Sequence, residues 1–449
     1  MSHLLYRLLR AVARIALSWY YGAIDATGLE RVPATGPVFL AGNHPNALMD
    51  ALVIGTRVSR PVRMLAKGTL FANPVTALLL RALGVIPLHR ARDARHADGG
   101  GASVDPSRNA ESFRAVGEAL AQGAAVLIFP EGISHDAPAL APLRTGLARM
   151  ALETRDVHGV AGLTIVPVGL VFESKETPRS RVLVQVGQPL SLAEWPGGPS
   201  SVAALTAAVE QSLRAVTLNF DSAEQATRIT TLAHALAVLL APVRPLGDAT
   251  HSLVDVVRLV HRIARASGTL EDEQVRAFEA RMSALLARLA QERLALEDIG
   301  IAVDAGAGAR FALREGALAL VRGPLGVWGR LNHWLPLTLT RWLATRGVRS
   351  RDEPAMRSVV LGLGLVLAFY VVQVALVAAL ASGWWAVAYA LTLVPSAGHD
   401  LRYGDRSRRA RARMRAFFRF RREPALQQAL LAEADGLRRE AGALEQAAS

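Results

Sequence analysis

The stretch Pro37-Val38-Phe39-Leu40-Ala41-Gly42-Asn43-His44-Pro45-Asn46-Ala47-Leu48-Met49-Asp50 decides how the rest of the chain is read. Pro37 to Leu40 is an apolar run that reads as a buried strand, and it delivers a histidine to a strand-to-helix corner, with a carboxylate six residues further on. A histidine can take a proton from a hydroxyl near neutral pH, and does so better when a carboxylate holds its other ring nitrogen and stabilises the imidazolium. His44 is the candidate general base and Asp50 its partner. Six residues of continuous helix would separate the two Cα atoms by ~9 Å and turn them to different faces. His44 must therefore lie outside the helix. Proline is favoured at the first helical position, so Pro45 predicts a helix that starts there with His44 as its N-cap.

Composition sets the frame. The chain has 449 residues, enough for two or three ordinary cores, and 51% are hydrophobic against 20% charged. A mean hydropathy of +0.25 at that charge content predicts that part of the chain sits in or on a membrane. The formal net charge is +13, and lysine occurs only at Lys67 and Lys175, so the positive charge is nearly all arginine. That balance suits anionic lipid, a phosphorylated substrate or nucleic acid, although no nucleic-acid-binding module is present to support the last. There is no cysteine, which excludes disulfides and thiolate ligands.

Residues 1–24 place Leu4, Leu8, Val12, Ile15 and Trp19 on one helical face and Arg7, Arg10 and Arg14 on another. This predicts an interfacial amphipathic helix, since the arginines interrupt any apolar run long enough for export or spanning. An ordinary packing helix is the alternative. From 25 to 220 the pattern is α/β, with strand-like runs at 37–41, 62–66, 84–89, 124–129, 164–172 and 181–187 and helical stretches at 46–58, 74–83, 108–122 and 144–155. Ala97 to Pro106, rich in Gly and Asp, reads as a loop. From 221 to 350 the strands stop. Leu253, Val256, Val260 and Ile263, then Val275, Phe278, Met282, Leu285 and Leu289, step by three and four and suggest an antiparallel helix pair. Residues 324–346 alternate Trp, Pro and Arg with apolar residues, as at a lipid headgroup layer.

Residues 351–400 predict a transmembrane hairpin. Val359 to Ala381 carries no charge and is long enough to span, and Trp384 to Ala397 could return after Ser382-Gly383. Arg346, Arg349, Arg351 and Arg357 precede it and Arg402, Arg406, Arg408 and Arg409 follow it, which by the positive-inside rule puts both ends on the cytoplasmic side. Residues 401–449 form a basic helical tail suited to anionic lipid or to solvent.

Four further segments join the His44 corner in order. Gly84 to Arg90 ends a strand with a basic residue, Phe129-Pro130-Glu131-Gly132 ends another at a turn, Pro142 to Gly146 opens a helix with Arg144, and Ile165-Val166-Pro167-Val168 is a strand whose proline suggests an edge or a site. A metal reading of His44, Asp50, His89 and His135 finds none of the usual ligand spacings. Taken together, the five segments resemble the glycerolipid acyltransferase family, which includes glycerol-3-phosphate and lysophosphatidate acyltransferases, over roughly residues 25–190. The resemblance implies a domain with a mixed sheet flanked by helices, followed here by the helical region and the hairpin. It implies an acyl thioester donor, acyl-CoA or acyl-carrier protein, as co-substrate with no further cofactor, and a phosphorylated glycerol or lysophospholipid as acceptor at a membrane. By the same resemblance His44 and Asp50 would be catalytic, Arg90 would bind the acceptor phosphate, Glu131 and Gly132 would shape the acceptor site, and Arg144 would stand near the substrate.

This chain departs from the family pattern at several points. Its His-to-Asp gap is one residue longer than the commonest form, as in the fungal glycerol-3-phosphate acyltransferases, which also carry C-terminal spans. Pro87 stands where an aromatic is usual, and Ile133 and Ser134 replace a common Thr-Arg, a loss for which Ser134 and His135 are candidates to compensate. Arg179 and Arg181 could meet a CoA phosphate or a solvated turn. Glycerol 3-phosphate is thus the expected acceptor, with lysophosphatidate the alternative and a non-catalytic lipid-binding scaffold the reading from another class.

Overall fold

The computed structural model describes residues 3–88, 106–193, 195–198, 200–241, 252–266, 272–348 and 353–447. They separate into two compact units, Met1–Asn219 with Trp342–Leu361, and Phe220–Arg341 with Gly362–Ser449.

The first unit is built on a mixed sheet. Its strands are β1 (Ala23–Thr27), β2 (Val38–Gly42), β3 (Val62–Lys67), β4 (Ile86–Leu88), β5 (Ala125–Ile128), β6 (Thr164–Phe172), β7 (Arg181–Val186) and β8 (Leu190–Ser191). They lie in the order β1-β7-β6-β2-β5-β3-β4, with β8 beside β6. The run from β6 through β2, β5 and β3 to β4 is parallel, while β7 and β8 pair antiparallel with β6. Parallel strands must be covered on both faces, and they are. Val38 and Leu40 of β2 pack under α1 (His3–Tyr20) and α2 (Ala47–Arg57) with Leu17, Met49, Val53 and Ile54. Phe39 and Ala41 point the other way, toward α4 (Pro106–Ala121) and α5 (Gly146–Asp156), where Val116, Leu120, Leu147 and Ala151 meet them. Between these helices in the chain lies α3 (Pro74–Ala82), and α6 (Ser201–Arg214) completes the second layer through Leu205, Val209 and Leu213.

Pro167 is not at a sheet edge. It pairs with Ala41 in the middle of the sheet. The missing N–H is tolerated because β6 changes its second neighbour there: β8 pairs with Thr164 and Ile165, and β7 takes over from Val168. The sequence reading also lacked β1, a short edge strand (AIDAT) without a strong alternation. The expected loop at 97–106 lies outside the described residues except for Pro106, the first residue of α4.

Helix α1 is amphipathic in a way the arginines do not suggest. Tyr6, Leu17 and Tyr20 are buried, while Leu4, Leu8 and Ile15 are exposed. Arg10 and Arg14 reach inward to the last turn of α2, whose Thr56 carbonyl accepts from Arg14 Nε at 3.1 Å and Nη2 at 3.0 Å, and whose Val58 carbonyl accepts from Arg10. The orphan carbonyls of a helix end take cations well. Arg179 does the same for α1, donating to Ser18 O at 2.9 Å and Tyr21 O at 2.8 Å, and Arg181 pairs with Glu173. These two arginines hold the protein's own structure together.

The second unit, among its described residues, is helical: α7 (Ala223–Leu240), α8 (Leu253–Ala266), α9 (Asp272–Gln291), α10 (Ala305–Thr345), α11 (Glu353–Leu380), α12 (Gly383–Arg422) and α13 (Pro424–Ala447), with the ends of α10 and α11 in the first unit. The expected pairing of α8 with α9 is replaced by another: α8 lies against α7, and α9 lies against α13. Among the described residues α11 is the one helix long and apolar enough to cross a membrane. The stretch expected to return, 384–397, is formed, but as the first part of α12, whose later part is dense in arginine.

Within this unit the long α10 shows an inverted pattern. Leu320, Val321, Leu331 and Trp334 are exposed, whereas Asn332, His333 and Thr340 are buried. Gly329 lies so close to α12 that a Cβ there would meet Ser396 O at 2.3 Å. Pro336 cannot donate to the Asn332 carbonyl, and Gln373 Nε2 of α11 does so instead at 3.1 Å. His333 donates through Nδ1 to Gly329 O at 2.7 Å and accepts at Nε2 from the Tyr370 hydroxyl at 2.6 Å.

Candidate active site

The carboxyl ends of β2, β3, β4, β5 and β6 share one edge of the sheet, where open α/β sheets place their ligands. β2 delivers His44 to that edge, β5 delivers Glu131, and β3 ends in the exposed Lys67. β4 ends at Leu88, and His89 and Arg90, the expected phosphate ligand among them, lie outside the described residues.

Asn43 fixes the start of the corner. Its side chain extends the strand ladder past Gly42: Oδ1 accepts from Leu170 N at 2.7 Å and Nδ2 donates to Leu170 O at 3.1 Å. Helix α2 begins at Ala47 with Asn46 as N-cap, so the helix starts two residues later than Pro45 predicts. His44 is outside the helix as the spacing requires. Ala47 takes a φ of 45°, a strained value for an alanine, and its N–H is held by Ser134 Oγ at 3.0 Å.

His44 Nδ1 lies 2.9 Å from Asp50 Oδ2, and the same oxygen accepts from Asn46 N at 2.7 Å. Asp50 is fully buried, and His44 keeps 19% of its side chain exposed. Burial pushes the Asp50 carboxyl up to about 6, against the opposing pull of its hydrogen bond with His44. The His44 ring stacks on Phe129, with centroids 4.1 Å apart and planes 7° from parallel. Gly42 makes room for that ring, because a Cβ there would meet Phe129 Cε1 at 2.9 Å. With Nδ1 bound to a carboxylate and the ring set by stacking, Nε2 is the nitrogen left for a substrate hydroxyl.

Glu131 is also buried, and it acts as a tie. Oε1 accepts from His44 N at 2.7 Å, and Oε2 accepts from Ala141 N at 2.9 Å and from His135 Nε2. His135 Nδ1 accepts from Ala137 N at 3.1 Å, so both of its ring nitrogens are engaged. Ser134 and His135 therefore hold the corner and the 131–141 loop. Gly132 turns the chain at φ 74°, and a Cβ there would meet Arg144 Cγ at 3.4 Å. Arg144 is exposed, two residues before α5 begins, and its N–H donates to Pro130 O at 2.8 Å. The sequence shows Asn43 beside His44 but gives no structural role to it or to Lys67. Position at the carboxyl end of a strand was the available signal for Lys67.

The Acyltransferase family model matches residues 23–171, from β1 to the end of β6 and across the His44 corner. Residues 23–171 are an acyltransferase domain. The chain is 24% identical over 257 aligned residues to an uncharacterized acyltransferase of Schizosaccharomyces pombe, an alignment covering 40% of this chain and 38% of that one. It is 38% identical over 82 residues to glycerol-3-phosphate O-acyltransferase 2 of Saccharomyces cerevisiae, covering 18% and 11%. The 1-acyl-sn-glycerol-3-phosphate acyltransferase of Borreliella burgdorferi is 31% identical over 164 residues, covering 36% and 57%. The chain thus spans from about a tenth to just over half of the length of these relatives.

Proposed function

We propose that the protein transfers a fatty acyl group from an acyl thioester to a hydroxyl of a phosphorylated glycerol acceptor, with glycerol 3-phosphate preferred over lysophosphatidate. The contact of His44 Nδ1 with Asp50 Oδ2 at 2.9 Å carries this reading. His44 Nε2 takes the proton of the acceptor hydroxyl as its oxygen attacks the thioester carbonyl carbon. The tetrahedral intermediate collapses, the carbon–sulfur bond breaks, and the leaving thiolate takes the proton back from the imidazolium to depart as a thiol. Asp50 stabilises the imidazolium in between. Phe129 and Glu131 hold the ring and the backbone of His44, and Arg144 and Lys67, on the same edge, are the described basic residues placed to meet a phosphate. Arg90 joins them on sequence grounds.

The membrane reading is part of the proposal. α11 and the first part of α12 form a hairpin in the bilayer with both outer ends cytoplasmic, as the flanking arginines favour. Apolar residues outside and bonded polar residues inside, as in α10 to α12, suit lipid contact. The exposed stripe of α1 suits the interface.

The test is the purified full chain with acyl-CoA and acyl-carrier-protein donors against glycerol 3-phosphate, dihydroxyacetone phosphate, lysophosphatidate and other lysophospholipids, ranked by kcat/KM. A tenfold preference for lysophosphatidate, about 1.4 kcal/mol in transition-state binding, reverses the acceptor assignment. Inertness toward the whole panel with the site intact rejects the enzyme.

A further inference from the structure

Asn46 is the N-cap of α2, yet its side chain makes no cap hydrogen bond. An asparagine there ordinarily accepts an N–H of the next turn and so stabilises the helix start. This one is fully buried and turned inward instead, with Nδ2 3.2 Å from the hydroxyl of Tyr21, the residue that follows α1. Tyr21 is itself buried, its ring set edge-on to Tyr20 and tilted against Phe172.

Two acceptor oxygens in this pocket, Asn46 Oδ1 and Asp50 Oδ1, are buried without a hydrogen-bond partner among the described residues. Buried acceptors of this kind call for a donor. The Tyr21 hydroxyl has a proton to give. Rotating the Asn46 amide end for end lets Tyr21 O–H donate to Asn46 Oδ1 and turns Nδ2 to where Oδ1 stood, and the two ends of an amide are told apart only by such bonding. Either orientation keeps Tyr21 bonded to Asn46, whose own N–H binds Asp50. The groups facing Asp50 are His44 from the corner, Tyr21 from the end of α1, and, more distantly, Lys175 from the loop after β6.

We propose that Tyr21 is a positioning residue for the His44–Asp50 pair: working through Asn46, its hydroxyl keeps the buried side of the Asp50 carboxylate polar, so that Asp50 remains ionised when His44 takes a proton. This rests on the acyl-transfer reading of the site. Tyr21 lies behind Asp50 and does not touch substrate. Its effect belongs to the imidazolium that forms on the way to the transition state, and so to kcat more than to KM.

Tyr21→Phe removes one oxygen and keeps the ring. On the full chain in liposomes, with acyl-CoA and glycerol 3-phosphate or whichever acceptor the panel selects, kcat should fall about tenfold, with both KM values within about twofold. The acid limb of the kcat profile should move up by about one pH unit. Asn46→Leu should shift the limb likewise, and the double variant should be no worse than the poorer single one, because the two act as a unit. Titration of the Asp50 carboxyl carbon by NMR gives a readout independent of turnover, and its midpoint should rise in Tyr21→Phe even if the wild type transfers no acyl group. An unchanged limb and midpoint overturn the proposal, as does a fall in kcat with an unmoved Asp50 midpoint.

Discussion

The Glu131 carboxylate holds the main-chain N–H of His44 at 2.7 Å, across two neighbouring strands of the sheet. The other oxygen of that carboxylate binds His135 and Ala141, so one buried side chain joins the base to the loop beyond β5. Glu131→Gln puts an N–H2 against donors at one of these oxygens. We expect a loss of about 1.5–3 kcal/mol in stability together with a fall in kcat, read by thermal unfolding and turnover on the same preparation. His44→Ala should abolish acyl transfer with the melting temperature nearly unchanged, and a Glu131→Gln protein of wild-type stability would contradict the tie.

Asp50 sets a pH dependence whose sign follows from burial. Its folded value of about 6 lies above the ordinary 3.8, so its contribution to stability is fully present below about 3.8 and is lost as pH rises through about 6. Asp50→Asn should therefore match the wild type in stability near pH 4 and exceed it at pH 8, by up to about 3 kcal/mol at 1.36 kcal/mol per pH unit. The same variant should lose most of kcat. Wild-type kcat should fall below about pH 6 as Asp50 takes a proton. Denaturant unfolding at the two pH values checks the first claim, and equal stabilities at pH 8 would refute it.

Arg144 is exposed and its side chain is free of structural duties among the described residues, so Arg144→Ala should leave unfolding unchanged. It should raise KM for a phosphorylated acceptor, with a loss of roughly 1.5–3 kcal/mol in kcat/KM, and spare an acceptor without phosphate. Lys67→Ala should act in the same direction. Equal losses on both kinds of acceptor would assign these residues to the donor.

The chain has no cysteine, so single cysteines report topology without background. In inverted vesicles Asp221→Cys should react with a membrane-impermeant maleimide, and Ser382→Cys, at the turn between α11 and α12, should react only after the bilayer is opened. Equal reaction at both before opening would exclude the hairpin.

The His44–Asp50 pair was legible in the sequence because both ends of the contact lie on one corner and helix geometry limits where each can stand. The tie from Glu131 was not, since it depends on β5 lying beside β2, a pairing of residues 87 apart in the chain. Arg10, Arg14 and Arg179 read as cations for headgroups or CoA, yet each is spent on the carbonyl end of a helix. Composition shows how many arginines a chain has and not what they face. Pro45 misplaced the helix start because the corner has to pass Asn46 into the core before the helix turns begin.

The clamp of α1 on α2 has a mechanical meaning. Arg10 and Arg14 grip the far end of the helix that carries Asp50, and Arg179 pins the end of α1 next to Tyr21. If the exposed leucines of α1 rest in lipid, as proposed, this bracing acts as a fixed stand-off: the depth at which α1 floats would set the height of His44 above the acyl chains, and a thioester would have to rise to that height to react.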